Sequence, residues 1–133
     1  MGGMTPAELK QRTKKFALDI IKFTSSLPRG IATDVISRQL IKSGTRTAAN
    51  YRHACRAKSD KDFIAKMSTA EEEVDESALW LEVLTESGLA RPAVAARLLD
   101  EADQLTRIFV TSINTARKRL PKRNNQEPET EDE

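Results

Sequence analysis

The apolar residues of this chain fall into four periodic runs separated by short stretches rich in Gly, Pro and Ser. In the first run Leu9, Phe16, Ile20, Phe23 and Leu27 recur at three, four or seven residues, which is one face of a helix. Thr5-Pro6-Ala7-Glu8 opens that helix: Thr5 caps it, Pro6 suits the first helical position and Glu8 closes a capping box. In "SSLPRG", Pro28 breaks the helix and Gly30 permits a turn. The second run predicts a helix over residues 31–57. At about 100° per residue, Ile36, Leu40, Ile41, Ser43, Gly44, Thr47, Ala48, Tyr51, Ala54 and Cys55 share one half of its cylinder. Arg38, Lys42, Arg46, Arg52, His53 and Arg56 fall on the other half. Ser59-x-x-Asp62 caps the third helix. Its seam is Phe63, Met67, Ala70, Val74, Ser77, Leu81 and Leu84, and its outer face is acidic, with Glu71, Glu72, Asp75, Glu82 and Glu86. Gly88 stops it and Pro92 starts the fourth helix, whose seam is Val94, Leu98, Ala102, Leu105, Phe109, Ser112 and Ala116, with Pro121 as its end. Four helices with short connections predict an all-α fold, an antiparallel up-down-up-down four-helix bundle over residues 5–120.

Composition agrees with helix. The 133 residues suit one domain, and aromatics and glycines are few. Cys55 is the single cysteine, so no intramolecular disulfide or cysteine-based zinc cluster can form, which fits a reducing cytoplasm. No apolar run approaches the roughly 18 residues of a membrane span, and no signal peptide is expected. Residues 1–4 read as a cloning remnant, because Met1-Gly2-Gly3 precedes a second Met. Residues 121–133 end in "QEPETEDE" and read as a disordered acidic tail with no apolar face to bury.

Charge changes the picture more than composition does. The formal net charge is only +2, but it is segregated. Residues 1–66 carry 14 Lys/Arg against 5 Asp/Glu; residues 67–103 carry 2 against 10; residues 104–123 carry 6 against none; the last ten carry none against 5. Such segregation speaks of surfaces and partners.

The segment "SGTRTAANYRHACRAKSDKDFIAKMSTAEEEVDESALWLEVLTESGL" resembles the central signature of the bacterial four-helix-bundle proteins, also called 23S rRNA intervening-sequence proteins. The matching elements are Ser43-Gly44-Thr45, Ala49-Asn50-Tyr51-Arg52, Ala54, Ser59, Asp62-Phe63-Ile64, Lys66, Ala70, Glu73, Asp75-Glu76, Trp80-Leu81-Glu82 and Leu84. The resemblance extends from about Leu9 to Leu120. It implies a four-helix bundle that assembles as a homopentamer with a central opening, a family with no assigned enzymatic activity, and nucleic-acid binding as the leading role; on the residues themselves, with one histidine and one cysteine, no metal site or cofactor is expected. The accessory protein of diversity-generating retroelements is distantly similar; it binds a reverse transcriptase and RNA. Two departures stand out: His53 replaces the family's usual Glu, and Arg46 a small or hydroxyl residue. Both make the second helix more basic.

Candidate sites follow. The cationic stripe Arg38, Lys42, Arg46, Arg52, His53 and Arg56 suits phosphate oxygens, which such stripes contact without reading sequence. The competing reading is a solvated face, or one paired with the acidic third helix of a neighbour. Lys10, Arg12, Lys14 and Lys15 leave the same choice open. So do Arg117-Lys118-Arg119 and Lys122-Arg123, which also suit the negative end of the fourth helix. Asn50, Tyr51, Glu73, Glu76 and Trp80 read as structural or oligomer contacts, with Asn50 or Arg52 satisfying Glu73 or Glu76. Tyr51 lies on the apolar half and belongs to the core, so base stacking lacks a platform. His53 is the only histidine, and His53 and Cys55, two apart on a helix, face different ways and form no dyad. The leading function is therefore a non-enzymatic, oligomeric nucleic-acid-binding accessory, with RNA favoured over DNA. The alternative is a protein-binding scaffold or adaptor, for example for a reverse transcriptase.

Overall fold

The computed structural model describes residues 4–122, which form four α-helices: α1 (Pro6–Ser25), α2 (Ile31–Cys55), α3 (Asp60–Glu86) and α4 (Pro92–Lys118). No strand occurs among the described residues. Residues 1–3 and 123–133, and with them most of the expected remnant and acidic tail, lie outside the described residues.

Local chemistry sets the helix ends. The Thr5 hydroxyl accepts from the Glu8 N–H at 3.1 Å, and the Glu8 carboxylate accepts from the Thr5 N–H at 2.9 Å, completing the capping box. The Ser59 hydroxyl accepts from the Asp62 N–H at 3.0 Å. α3 ends in a Schellman motif: Gly88 takes φ 83°, Leu89 N–H reaches the Leu84 carbonyl at 2.9 Å, and Gly88 N–H reaches Thr85 at 3.1 Å. α2 stops at Cys55, two residues early, because Arg56 and Ala57 donate to the carbonyls three residues back, His53 and Ala54.

Each helix packs against its neighbours in sequence, and α4 closes the ring on α1. The α1–α4 contact is the sparsest of the four, and a clasp spans it. Arg12 donates from Nε to Glu101 Oε2 at 2.7 Å, and from Nη2 to Glu101 Oε1 at 2.9 Å and Gln104 Oε1 at 2.6 Å. The hydrogen bond to Glu101 is the main reason the guanidinium is held above its ordinary pKa.

The core is built from the expected seams of α1 and α3, except that Leu27 and Phe63 are half-buried. α4 differs: Ala95 and Ile113 are buried, whereas Val94 is 49% exposed and Ser112 half-buried. Val94 and Ser112 sit at one margin of the apolar arc, and the helix is rolled toward the other margin. At Gly44 the absence of a side chain matters. A Cβ there would meet the end of the buried Ile20 side chain, with Cδ1 at 2.5 Å, so a larger residue at this position must displace that methyl.

Candidate nucleic-acid interface

Alternation of small and long side chains gives α2 two sides. Ser43, Gly44, Thr47, Asn50, Tyr51 and Ala54 are buried against the other helices. Arg38, Lys42, Arg52, His53 and Arg56 are exposed, and none forms an ion pair among the described residues. At 1.5 Å per residue they run along about 27 Å of helix from Arg38 to Arg56. Two apolar side chains open the same outer face, Ile31 (88% exposed) and Val35, a feature the helical pattern had not singled out.

Arg46 is different. Its Nε donates to Glu73 Oε2 of α3 at 2.9 Å; Arg46 is 52% exposed and Glu73 17%. The acidic partner is thus on the same chain, across the α2–α3 groove. Glu73, one of the two carboxylates expected to meet Asn50 or Arg52, pairs within the chain with Arg46, while Asn50 Nδ2 donates to the Arg46 carbonyl at 2.9 Å. One turn from Arg46, the Ser43 and Ser77 hydroxyls meet at 2.8 Å, and Ser77 also donates to the Glu73 carbonyl at 3.0 Å. This polar ladder fixes the register of α2 on α3 without a free charge in the core. Glu76 accepts from Trp80 Nε1 on its own helix at 3.1 Å.

Tyr51 stacks on Phe109 of α4, with ring centroids 6.1 Å apart and planes within 9°. Burial first, then a hydrogen bond with the Cys55 thiol, pushes its hydroxyl well above the ordinary range. Tyr51 is therefore held inside, away from any ligand on the outer face.

Of the other cations, Arg12 is in its clasp, Lys15 pairs with Asp19 at 2.9 Å, and Arg119 Nε reaches Asp60 Oδ1 at 3.1 Å. The α2 face is thus the longest row of cations that the fold leaves without acidic partners among the described residues. Those residues include no group of three or more His, Cys, Asp or Glu side chains placed to hold a metal ion. None of the described helices is long and apolar enough to cross a membrane.

Comparison with known proteins bears on this arrangement. The family model described as 23S rRNA-intervening sequence protein matches residues 6–111, from the first turn of α1 into the last third of α4. A crystal structure of a protein of unknown function from the S23 ribosomal protein family, from Bacteroides thetaiotaomicron, superposes with a TM-score of 0.77. It is 27% identical, and the match covers 84% of this chain and 99% of that one. No curated protein matches the chain.

Proposed function

This chain belongs to the 23S rRNA-intervening sequence protein family, and we propose that it is a non-enzymatic accessory protein of the cytoplasm that binds nucleic acid, RNA above all, on the outer face of α2. The observation that carries this reading is the row Arg38, Lys42, Arg52, His53 and Arg56, exposed along one helix and without acidic partners among the described residues. Such a row neutralises phosphates and releases their counterions. With no aromatic platform on the face, recognition rests on backbone charge and shape, and sequence preference is weak.

The test is binding of single-stranded RNA and of DNA across a salt series, with an Arg38→Glu/Arg56→Glu variant beside the parent. These two positions are chosen over Arg46, whose reversal would also place a second negative charge beside Glu73. Each phosphate neutralised on a single strand should contribute about 0.7 to the log–log salt slope, so the variant's slope should be shallower by about 1.4. A flat salt response, or undiminished binding by the variant, overturns the proposal.

Exposed apolar side chains favour protein contacts as well: Ile31 and Val35 on α2, Leu18 and Ile21 on α1, and Leu79 on α3. We take self-association, as the homopentamer that the resemblance implies, to be their first use. A polypeptide such as a reverse transcriptase is the alternative partner. Light scattering on the isolated protein decides: a monomer at working concentration removes the pentamer, and a pentamer that binds no RNA or DNA favours the adaptor reading.

A further inference from the structure

α1 and α3 make no contact with each other, so they stand at opposite corners of the ring of helices. Each carries an exposed leucine on its outward side, Leu18 (51% exposed) on α1 and Leu79 (48%) on α3. At about 100° per residue, Lys14, Ile21 and Lys22 lie within about 60° of Leu18 around α1. Glu72, Asp75, Glu82 and Glu86 lie within about 60° of Leu79 around α3. All these charged side chains are exposed, and none forms an ion pair among the described residues. α3 has no Lys or Arg from Met67 to Glu86. Asp19, the one acid of α1 in the stretch 10–25, is turned about 100° from Leu18 and pairs with Lys15.

We infer that the outer stripe of α1 in one copy of the chain docks on the outer stripe of α3 in the next, head to tail. The inference rests on the reading of the exposed apolar side chains as surfaces for self-association, and it supplies their pairing and sense.

The two stripes match residue by residue. Lys14 and Lys22 stand four residues to either side of Leu18, and Asp75 and Glu82 stand four and three residues to either side of Leu79. Laid leucine on leucine, the stripes bring a cation opposite a carboxylate on both sides, whichever way the helices run. The apolar centre loses water, and the charged rim selects the partner. Neither stripe can serve itself. Two α1 stripes would set Lys against Lys, and two α3 stripes carboxylate against carboxylate, which argues against a two-fold contact. Because the stripes face opposite ways, each docking leaves one free at either end, and association continues until a ring closes. α2 fits the acidic stripe less well. Its exposed Ile31 and Val35 lie at one end of the cationic row, beside the Arg29–Asp34 pair, and free cations do not bracket them. That leaves the α2 face to polyanions.

Light scattering tests the pairing on the parent and three variants: Lys14→Glu/Lys22→Glu, Asp75→Lys/Glu82→Lys, and one chain with all four substitutions. The positions are exposed, and an unchanged helical circular dichroism spectrum verifies each fold. Each double variant should assemble about a hundredfold more weakly, about tenfold per reversed charge, and be monomeric where the parent is assembled. The chain with all four substitutions should regain the parent's size, because its reversed stripes match again. An equimolar mixture of the two double variants should also reassemble, with the two kinds alternating, so that every closed species holds an even number of copies. Arg38→Glu/Arg56→Glu should keep the parent's size. A monomeric parent overturns the self-association reading itself. An assembled parent whose size survives either double variant, or is lost on Arg38→Glu/Arg56→Glu, overturns this pairing alone. So does a chain with all four substitutions that stays monomeric.

Discussion

The Gly44–Ile20 contact makes a prediction whose sign depends on one methyl group. Ile20 is fully buried, and a Cβ on Gly44 would lie 2.5 Å from its Cδ1, 3.5 Å from its Cγ2 and 3.6 Å from its Cβ. Gly44→Ala gains about 1 kcal/mol of helix propensity in the middle of α2. It also overpacks a closed site, which costs about 1–3 kcal/mol. The net is a loss of about 0–2 kcal/mol. Ile20→Val removes Cδ1 and alone costs about 0.5–1.5 kcal/mol. Independent effects would leave the double variant about 0.5–3.5 kcal/mol less stable than the parent. With Cδ1 gone, however, the nearest remaining atom is Cγ2, at ordinary contact distance, and the new methyl occupies the vacated volume. The double variant keeps the propensity gain and should match the parent, a coupling of about 0.5–3.5 kcal/mol. Urea unfolding of the four proteins at one fixed concentration measures it, with unchanged m-values confirming comparable transitions. A double variant as destabilised as the sum of the two singles would show that α1 and α2 do not meet at this glycine.

Further predictions concern the polar contacts. Arg46→Glu should lower stability more than Arg56→Glu, because it sets like charges across the groove, and Glu73→Arg in the same chain should recover most of the loss; thermal melts of the four combinations test this. Ser43→Ala and Ser77→Ala should each cost about 1 kcal/mol, and together less than their sum, since each hydroxyl retains a backbone carbonyl once its partner is gone. Gly88→Ala should cost about 1–2 kcal/mol, since φ 83° is a left-handed conformation that a Cβ disfavours. Tyr51 is the only tyrosine, so tyrosinate absorbance reports one site. Its folded pKa lies above the ordinary value of about 10, so the unfolded chain loses its proton first. The stabilisation is present below about pH 10 and is lost as pH rises through the folded pKa. Absorbance that titrates freely near pH 10 in still-helical protein would contradict the buried stack on Phe109.

Much of the bundle was legible because helix ends are written in local chemistry. Thr5 with Glu8, Ser59 with Asp62, and Gly88 each act within a few residues of themselves, and the structure uses all three as the sequence indicates. The α4 seam shows the limit. Helical periodicity gives the width of an apolar arc but not the roll of the helix against its neighbours, so the expected seam includes Val94, which is exposed, and omits Ala95, which is buried. Thr13 and Thr33 were passed over for a related reason. They are buried although polar, and the Thr13 hydroxyl returns to the Leu9 carbonyl, which no hydropathy pattern reveals. The candidate site was half legible. Exposure of the α2 cations follows from their angle on the helix, but the removal of Arg46 from the row follows from Glu73, twenty-seven residues away and one groove across. Ile31 and Val35 were the opposite case: apolar residues on the outer side of a helix look like noise until the fold shows nothing covering them among the described residues.

The cavity of about 860 Å³ at the end of the bundle is lined by residues from both ends of the described chain, Met4 and Pro6 beside Arg119, together with Tyr51 and Phe63. That proximity makes the bundle suited to circular permutation. A short flexible linker from Lys122 to Met4 would close the chain, and new ends could open in the exposed residues 87–88 at the opposite pole. Such a permutant would keep all four helices and carry its new ends far from Arg52 and Arg56. Reporter groups could then be attached without crowding the Arg52–Arg56 end of the basic face.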